Sequence, residues 1–326
     1  MSIIQDKKIL SVFFMILCVL SYTAMNFICK FFSDELSAYQ LLFFRSFPSV
    51  LICLFLMKRK GISFMGNKKG LLAARALTGM LSAIFFFEAI SIIPIGTSII
   101  LKNLEPFFAL LLSFYFFAYK FNWVHFYAIS IASFGIFIVL INSYGVSSIG
   151  IMFMVISAFI GGFAIVFITK IGNQDSPLTV VFYLSVFCSL LGAYSFFEWQ
   201  KVKPEFFLYL ISIGILNFLA QYFLTMAFQL GDPRKVAPIK YVEILLAMLL
   251  GTALLGESYL AYNYIGALIF ILALVINVID FNKDGKINSE DFQYLLEIDK
   301  SKFDFNKYGK VDIKDLFFLF RREKKT

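Results

Sequence analysis

Ten apolar segments follow one another along most of this 326-residue chain. A run of about 20 apolar residues is long enough to cross a bilayer as an α-helix, which satisfies its own backbone polar groups in lipid. The predicted spans cover residues 9–31, 37–57, 71–92, 96–118, 123–142, 149–169, 178–198, 206–228, 237–255 and 262–280. The chain is therefore expected to be an all-α polytopic membrane protein with the lipid bilayer as its surroundings.

The distribution of basic residues predicts the orientation of these spans. The chain is 60% hydrophobic and carries a net charge of +8, but its lysines and arginines lie mainly between spans and in the tail. Membrane topology accounts for such a pattern, so no nucleic-acid partner is expected. The loops on the inner side hold most of the positive charge when both termini are cytosolic, in a bacterial inner membrane or a eukaryotic membrane. The pattern indicates no particular oligomeric state.

Two pairs of opposite charges lie inside apolar spans, 138 residues apart. They are Lys102 with Glu105, and Lys240 with Glu243. A charge at the centre of a membrane helix costs roughly 2.5–3.5 kcal/mol on insertion scales, and such residues are usually functional. The i, i+3 spacing predicts that both members of a pair share one helix face. Each pair is either an internal ion pair that joins the bundle or part of a cavity wall that binds substrate.

Three further polar side chains in the spans are candidates for a defined role. Arg45 is expected either to bind a substrate carboxylate or phosphate through its planar fork, or to pair with Glu88. Tyr241, between the members of the second pair, is a candidate substrate-binding group. Arg75 lies close enough to a predicted helix end for its guanidinium to reach the interface.

The chain divides into two similar halves, predicted at residues 9–142 and 149–280. Besides the charged pairs, residues 27–30 resemble residues 167–170 at an offset of 140. Because each half holds five spans, an odd number, the second half must be inverted relative to the first. Inverted repeats are typical of secondary transporters, whose substrate site lies near the bilayer midplane where the repeats meet.

Several short motifs resemble the EamA-type members of the drug/metabolite transporter superfamily, to which the solute carrier 35 proteins are related. The motifs are Phe44-Arg45, Ile239-Lys240-Tyr241-Val242-Glu243 and Leu254-Leu255-Gly256-Glu257. The resemblance implies a carrier of five plus five helices that moves a small organic metabolite through a central cavity. The chain has no phosphate-binding G-x-x-x-x-G-K-[ST] loop, so an ATP-driven pump is not expected. An integral membrane enzyme would need a histidine or carboxylate cluster at an interface, and with the single histidine, His125, neither an enzyme nor an organic cofactor is expected.

The tail, residues 280–326, resembles the calcium loops of EF-hand and dockerin modules. Asp280, Asn282 and Asp284 supply side-chain oxygens at positions 1, 3 and 5, and Lys286 contributes its carbonyl at position 7. Position 12 is Asp291 in place of the usual glutamate, which is expected to lower calcium affinity. A second loop at 304–315 lacks the position-5 oxygen.

The tail leads to two functional hypotheses. In the first, one calcium site near the cytosolic face modulates a carrier; otherwise the loop is an acidic turn without useful affinity. In the second, the chain is a calcium-responsive membrane adaptor that keeps the carrier fold without transporting.

Overall fold

A computed structural model describes residues 2–33, 35–117, 130–131, 134–135, 147–231, 236, 239–240, 242–256, 264–266 and 268–269. Within these residues the chain is helical, with short 3-10 turns and no strands. The α-helices delimited there are α1 (Ser2–Phe31), α2 (Ala38–Lys60), α3 (Lys69–Ile92), α4 (Ile95–Lys102), α5 (Glu105–Phe117), α6 (Ser148–Ile171), α7 (Pro177–Tyr194), α8 (Phe207–Leu230) and α9 (Val242–Leu255).

Seven helical stretches in the described residues are long and apolar enough to cross a membrane. A further apolar helix, Val242–Leu254, is shorter. The prediction of an all-helical, multi-pass membrane protein is therefore confirmed. The predicted spans 123–142 and 262–280 fall largely outside the described residues, and the calcium loops fall wholly outside them, so the count of ten helices and the tail stay predictions.

The ends of α2 show how the local sequence sets helix boundaries. The Ser37 side chain accepts a hydrogen bond from the backbone N–H of Gln40 and so satisfies one free donor of the first turn. The helix ends before Gly61, whose φ of 65° is the left-handed conformation that glycine adopts without steric cost. Lys58, Arg59 and Lys60 occupy the last turn, where cations are favourable.

The helices pack in pairs that join the first half of the chain to the second. The closest pairs are α1 with α8, α2 with α7, and α3 with α6, and α4 lies against both α6 and α9. Glycines let backbones approach, as small residues commonly do between membrane helices. A Cβ at Gly214 of α8 would overlap the Pro48 ring in α2, and one at Gly192 of α7 would lie 2.8 Å from the backbone of Phe43.

The fourth predicted span, 96–118, is wrong as one continuous helix. The structure ends α4 at Lys102 and starts α5 at Glu105. Pro106 explains the break, because proline has no N–H to donate to the Lys102 carbonyl and its ring clashes with the carbonyl four residues earlier. The Leu104 backbone N–H donates to the Leu101 carbonyl at 3.0 Å, and the Asn103 side-chain amide adds a hydrogen bond to the Ile99 carbonyl at 2.8 Å.

Candidate functional site

The break in the fourth span places opposite charges at the two new helix ends. Lys102 is the last residue of α4 and Glu105 is the first residue of α5. A cation at a helix C-terminus and an anion at a helix N-terminus are each stabilised by the helix dipole. Glu243 likewise lies in the first turn of α9. The buried charges therefore occupy the helix ends where the backbone favours their sign.

Glu105 binds both lysines of the duplicated motif. Its Oε1 lies 2.9 Å from the Lys102 Nζ and its Oε2 lies 2.7 Å from the Lys240 Nζ. Gly161 of α6 makes room for this carboxylate, since a Cβ there would overlap it. Lys102 and Glu105 come from the first half of the chain and Lys240 from the second. The central salt-bridge network therefore crosses between the halves.

Two serines complete the surroundings of Lys102. Its Nζ donates to the Ser82 Oγ at 2.6 Å and to the Ser157 Oγ at 2.7 Å. The Ser157 hydroxyl donates to the Ser82 carbonyl at 2.6 Å, which joins α3 to α6 at the same level. With Glu105 as the third acceptor, all three protons of the Lys102 ammonium are used. Lys102 is therefore held rigidly within the protein.

Glu243 differs from Glu105, the equivalent acid of the first half, because the expected salt bridge between Lys240 and Glu243 does not form. Among the described residues, no salt bridge reaches Glu243, whereas Lys240 crosses to Glu105. The Glu243 Oε1 accepts instead from the Asn26 side-chain amide of α1, at 3.0 Å. Tertiary packing therefore makes two identical sequence pairs unequal.

Two arginines from neighbouring helices are buried beside this network. The Arg45 guanidinium of α2 lies 5.3 Å from the Phe87 ring centroid, and no described salt bridge joins it to Glu88. Arg75 of α3 is 3% exposed and donates to the Gln221 side chain at 3.0 Å. The expectation that Arg75 reaches the membrane interface is wrong, because α3 turns it toward the bundle centre. The Nε atom of each arginine is buried without a hydrogen-bond partner.

These charged groups line one central cavity. Polar groups from α1, α2, α3, α8 and the helix ends around α4, α5 and α9 reach it, and α6 contributes Gly161 and apolar side chains. Its polar and charged lining comprises Tyr22, Asn26, Arg45, Arg75, Ser82, Lys102, Glu105, Gln221, Lys240 and Glu243. Small-molecule sites commonly lie between the helices of a bundle, as this cavity does.

Five of the six substrate-binding residues predicted from the sequence line this cavity, namely Arg45, Lys102, Glu105, Lys240 and Glu243. The sixth, Tyr241, lies outside the described residues, as do the calcium ligands Asp280, Asn282, Asp284, Lys286 and Asp291. Sequence reasoning missed Asn26, Gln221 and Ser82. Single amides inside apolar spans, such as Asn26 and Gln221, were the available signal, since a lone amide in lipid needs a partner.

The chain matches one family profile in both halves. The profile of the EamA-like transporter family matches residues 9–141 and again residues 148–279. A solved crystal structure of a protein superimposes on this chain with a TM-score of 0.68 at 14% identity, covering 82% of this chain and 95% of the other. A likeness at that identity shows a shared fold.

Relatives of known name cover most of the chain. Over 264 residues it is 26% identical to the pseudopaline exporter CntI of Pseudomonas aeruginosa, which covers 80% of this chain and 93% of that protein. Over 270 residues it is 26% identical to an uncharacterized transporter of Helicobacter pylori, with 78% and 90% covered. A probable transporter of Bipolaris victoriae, vicT, is 25% identical over 267 residues, with 74% and 76% covered.

Proposed function

Because this chain belongs to the EamA-like transporter family, we propose that it is a secondary carrier that moves a small organic metabolite through its central cavity. The relatives that cover most of it are named as transporters, and one of them as an exporter. The proposal assigns solute binding, and no enzymatic reaction, to the buried polar residues. The match to a pseudopaline exporter supports export as the direction and makes pseudopaline one solute to test.

The observation that carries this proposal is the set of six charged side chains that the described residues place around one cavity in the middle of an apolar bundle. Buried charges in membrane proteins are costly and typically mark a substrate or ion pathway. A purely structural role would require each charge to be neutralised within the protein. Glu105 forms salt bridges with both lysines here, although its single charge offsets only one of them, and the two arginines form no salt bridge with a described residue.

We further propose that the two halves, residues 9–142 and 149–280, are an inverted repeat of five helices each, with both termini cytosolic. The packing supports the repeat, because each major contact has a counterpart when the halves are exchanged. The contact of α1 with α8 corresponds to that of α6 with α3, and the contact of α1 with α9 corresponds to that of α6 with α5. The α2–α7 contact corresponds to itself.

In an inverted-repeat carrier the halves rock around a fixed central site. The Lys240–Glu105 salt bridge joins the two halves at this site. In the proposed cycle, substrate binding competes with this bridge, so that one half can move against the other. The pathway then opens to alternate sides of the membrane.

Efflux from proteoliposomes tests the proposal. Vesicles that contain the full chain are loaded with a small-metabolite extract, and the released solutes are identified by mass spectrometry. We expect selective release of at least one solute by the wild-type protein and none by Lys240→Met, which removes a cavity cation. Lys201→Met is the matched control, because Lys201 is exposed in the connection before α8.

The controls distinguish a carrier from a membrane adaptor. Lys201→Met is expected to release the same solute as the wild type at a similar rate. If wild-type vesicles release no solute beyond protein-free vesicles, the transport proposal fails. Normal release by Lys240→Met would show that the substrate path lies elsewhere.

We also propose that the tail binds one calcium ion and modulates transport. Its support is the ligand pattern alone, in which Asp280, Asn282, Asp284, Lys286 and Asp291 hold positions 1, 3, 5, 7 and 12. Calcium titration of the full chain by calorimetry is expected to give one site, lost in Asp280→Ala. Absence of binding at millimolar calcium would contradict the site, and binding without a change in efflux would contradict modulation.

A further inference from the structure

The described charges around the central cavity do not sum to zero, and their net charge indicates the charge of the ligand that binds there. Among the residues that the structure describes, four cationic side chains and two acidic ones line the cavity, a formal excess of two positive charges when all six are ionised. In an apolar bundle an uncompensated charge is expensive. A substrate that carries the opposite charge removes this cost on binding.

The two arginines are the cations of the described lining that form no salt bridge with a described carboxylate. Glu105 already accepts from both lysines, and Lys102 has used all its protons on Glu105 and two serines. Arg45 forms no salt bridge with a described residue, and Arg75 has only the neutral Gln221 amide among them as a hydrogen-bond partner. A guanidinium presents parallel N–H donors that match the two oxygens of a carboxylate or phosphate.

The acidic part of the cavity lies elsewhere, at α1 and α9. Glu243 faces the cavity with one hydrogen bond, from Asn26, and forms no salt bridge with the part of the chain that the structure describes. An ionised carboxylate has several acceptor sites, so most of its capacity is open to a ligand. An ammonium group, with three N–H donors and a full positive charge, is the complementary partner.

Resting on the proposed function, we infer that the substrate is an amino acid derivative with one ammonium group and at least two carboxylate or phosphate groups, and a net charge near −2. Its oxyanions bind Arg45 and Arg75, and its ammonium binds Glu243. A neutral amino acid leaves an arginine unpaired, and a polyamine adds to the positive excess.

Direct binding to the purified full chain tests this inference without requiring turnover. Two probes, γ-carboxyglutamate and O-phosphoserine, carry an ammonium group and a net charge near −2. Tricarballylate has three carboxylates and no ammonium. Glutamine is the neutral amino acid and spermidine is the polyamine. The buffer is freed of calcium by a resin, because soluble chelators are themselves polycarboxylates. Thermal shift ranks the probes and calorimetry gives the dissociation constants.

We expect γ-carboxyglutamate or O-phosphoserine to bind at least roughly tenfold more tightly than the other three. The better of the two identifies the oxyanion as carboxylate or phosphate. Arg45→Gln should weaken that probe by roughly tenfold or more, and Arg45→Lys by less, since it keeps the charge without the fork. Glu243→Gln should lower the preference for γ-carboxyglutamate over tricarballylate, which a loss of stability alone does not change.

Two results overturn the inference. One is tighter binding of glutamine or spermidine than of either anionic amino acid, and the other is no binding of any probe. If the efflux assay still shows release of a neutral or cationic solute, the carrier function stands and only the substrate class is wrong. If neither binding nor efflux occurs, both proposals fail.

Discussion

Glu105→Gln and Glu243→Gln are the same chemical change at the two duplicated acids, and the structure predicts unequal losses of stability. Glu105 is 8% exposed and forms salt bridges of 2.9 and 2.7 Å with Lys102 and Lys240. Glu243 is 6% exposed and accepts one described hydrogen bond, from Asn26. The first substitution leaves two buried ammonium groups without their anion, and the second leaves an amide pair.

The expected magnitudes differ several-fold. Removing one partner of a buried ion pair typically costs about 3–5 kcal/mol. At about 2–4 °C per kcal/mol, the Glu105→Gln protein should unfold roughly 6–20 °C below the wild type. For Glu243→Gln, a hydrogen bond to a charged acceptor becomes one to a neutral acceptor, a loss of about 1 kcal/mol that a smaller desolvation cost partly offsets. Its midpoint should fall by less than about 4 °C.

A thiol-reactive dye can follow unfolding in detergent, because Cys18, Cys29, Cys53 and Cys188 are free and buried. The double variant Glu105→Gln/Lys240→Met provides the internal control. It removes one of the two orphaned ammonium groups, so it should be more stable than Glu105→Gln alone, which a double-mutant cycle measures as a coupling energy.

Equal midpoints for the two glutamine variants, or a larger loss for Glu243→Gln, would refute this account of the site. A double variant less stable than Glu105→Gln would show that Lys240 is stabilised by contacts other than Glu105.

The remaining predictions concern groups that position the site. Gly161→Ala should reduce efflux roughly tenfold or more with the helices still packed, because the new methyl group displaces the Glu105 carboxylate, the end of a flexible side chain. Gly162→Ala should instead lower the unfolding midpoint, by about 1–3 kcal/mol of stability, because its Cβ would lie 3.0 Å from the backbone nitrogen of Ala109 in α5. Asp175→Asn should lower the free energy of unfolding by about 1 kcal/mol without altering probe affinity, because the Asp175 carboxylate accepts from the backbone N–H of Lys68 at the start of α3, away from the cavity. Reversed effects of the two glycine changes, or a loss of probe affinity in Asp175→Asn, would contradict these assignments.

The charged site residues were predictable because a charged residue inside an apolar segment can be recognised in the sequence whatever fold the segment adopts. Lys102, Glu105, Lys240, Glu243 and Arg45 were identified on that ground, and all five line the cavity. The calcium ligands of the tail and Tyr241 lie outside the described residues, so their roles stay predictions.

The amino-acid sequence by itself determined that the chain is a multi-pass membrane protein, because apolar length and backbone hydrogen bonding in lipid are local properties. It also contains the cause of the helix break, since Pro106 acts on the carbonyl four residues before it. Only the tertiary structure decided the partners. Lys240 reaches Glu105 across the two halves and leaves its sequence neighbour Glu243 to Asn26, and α3 brings Arg75 to the centre. Pairing between distant segments depends on how helices pack, which no spacing within one segment specifies.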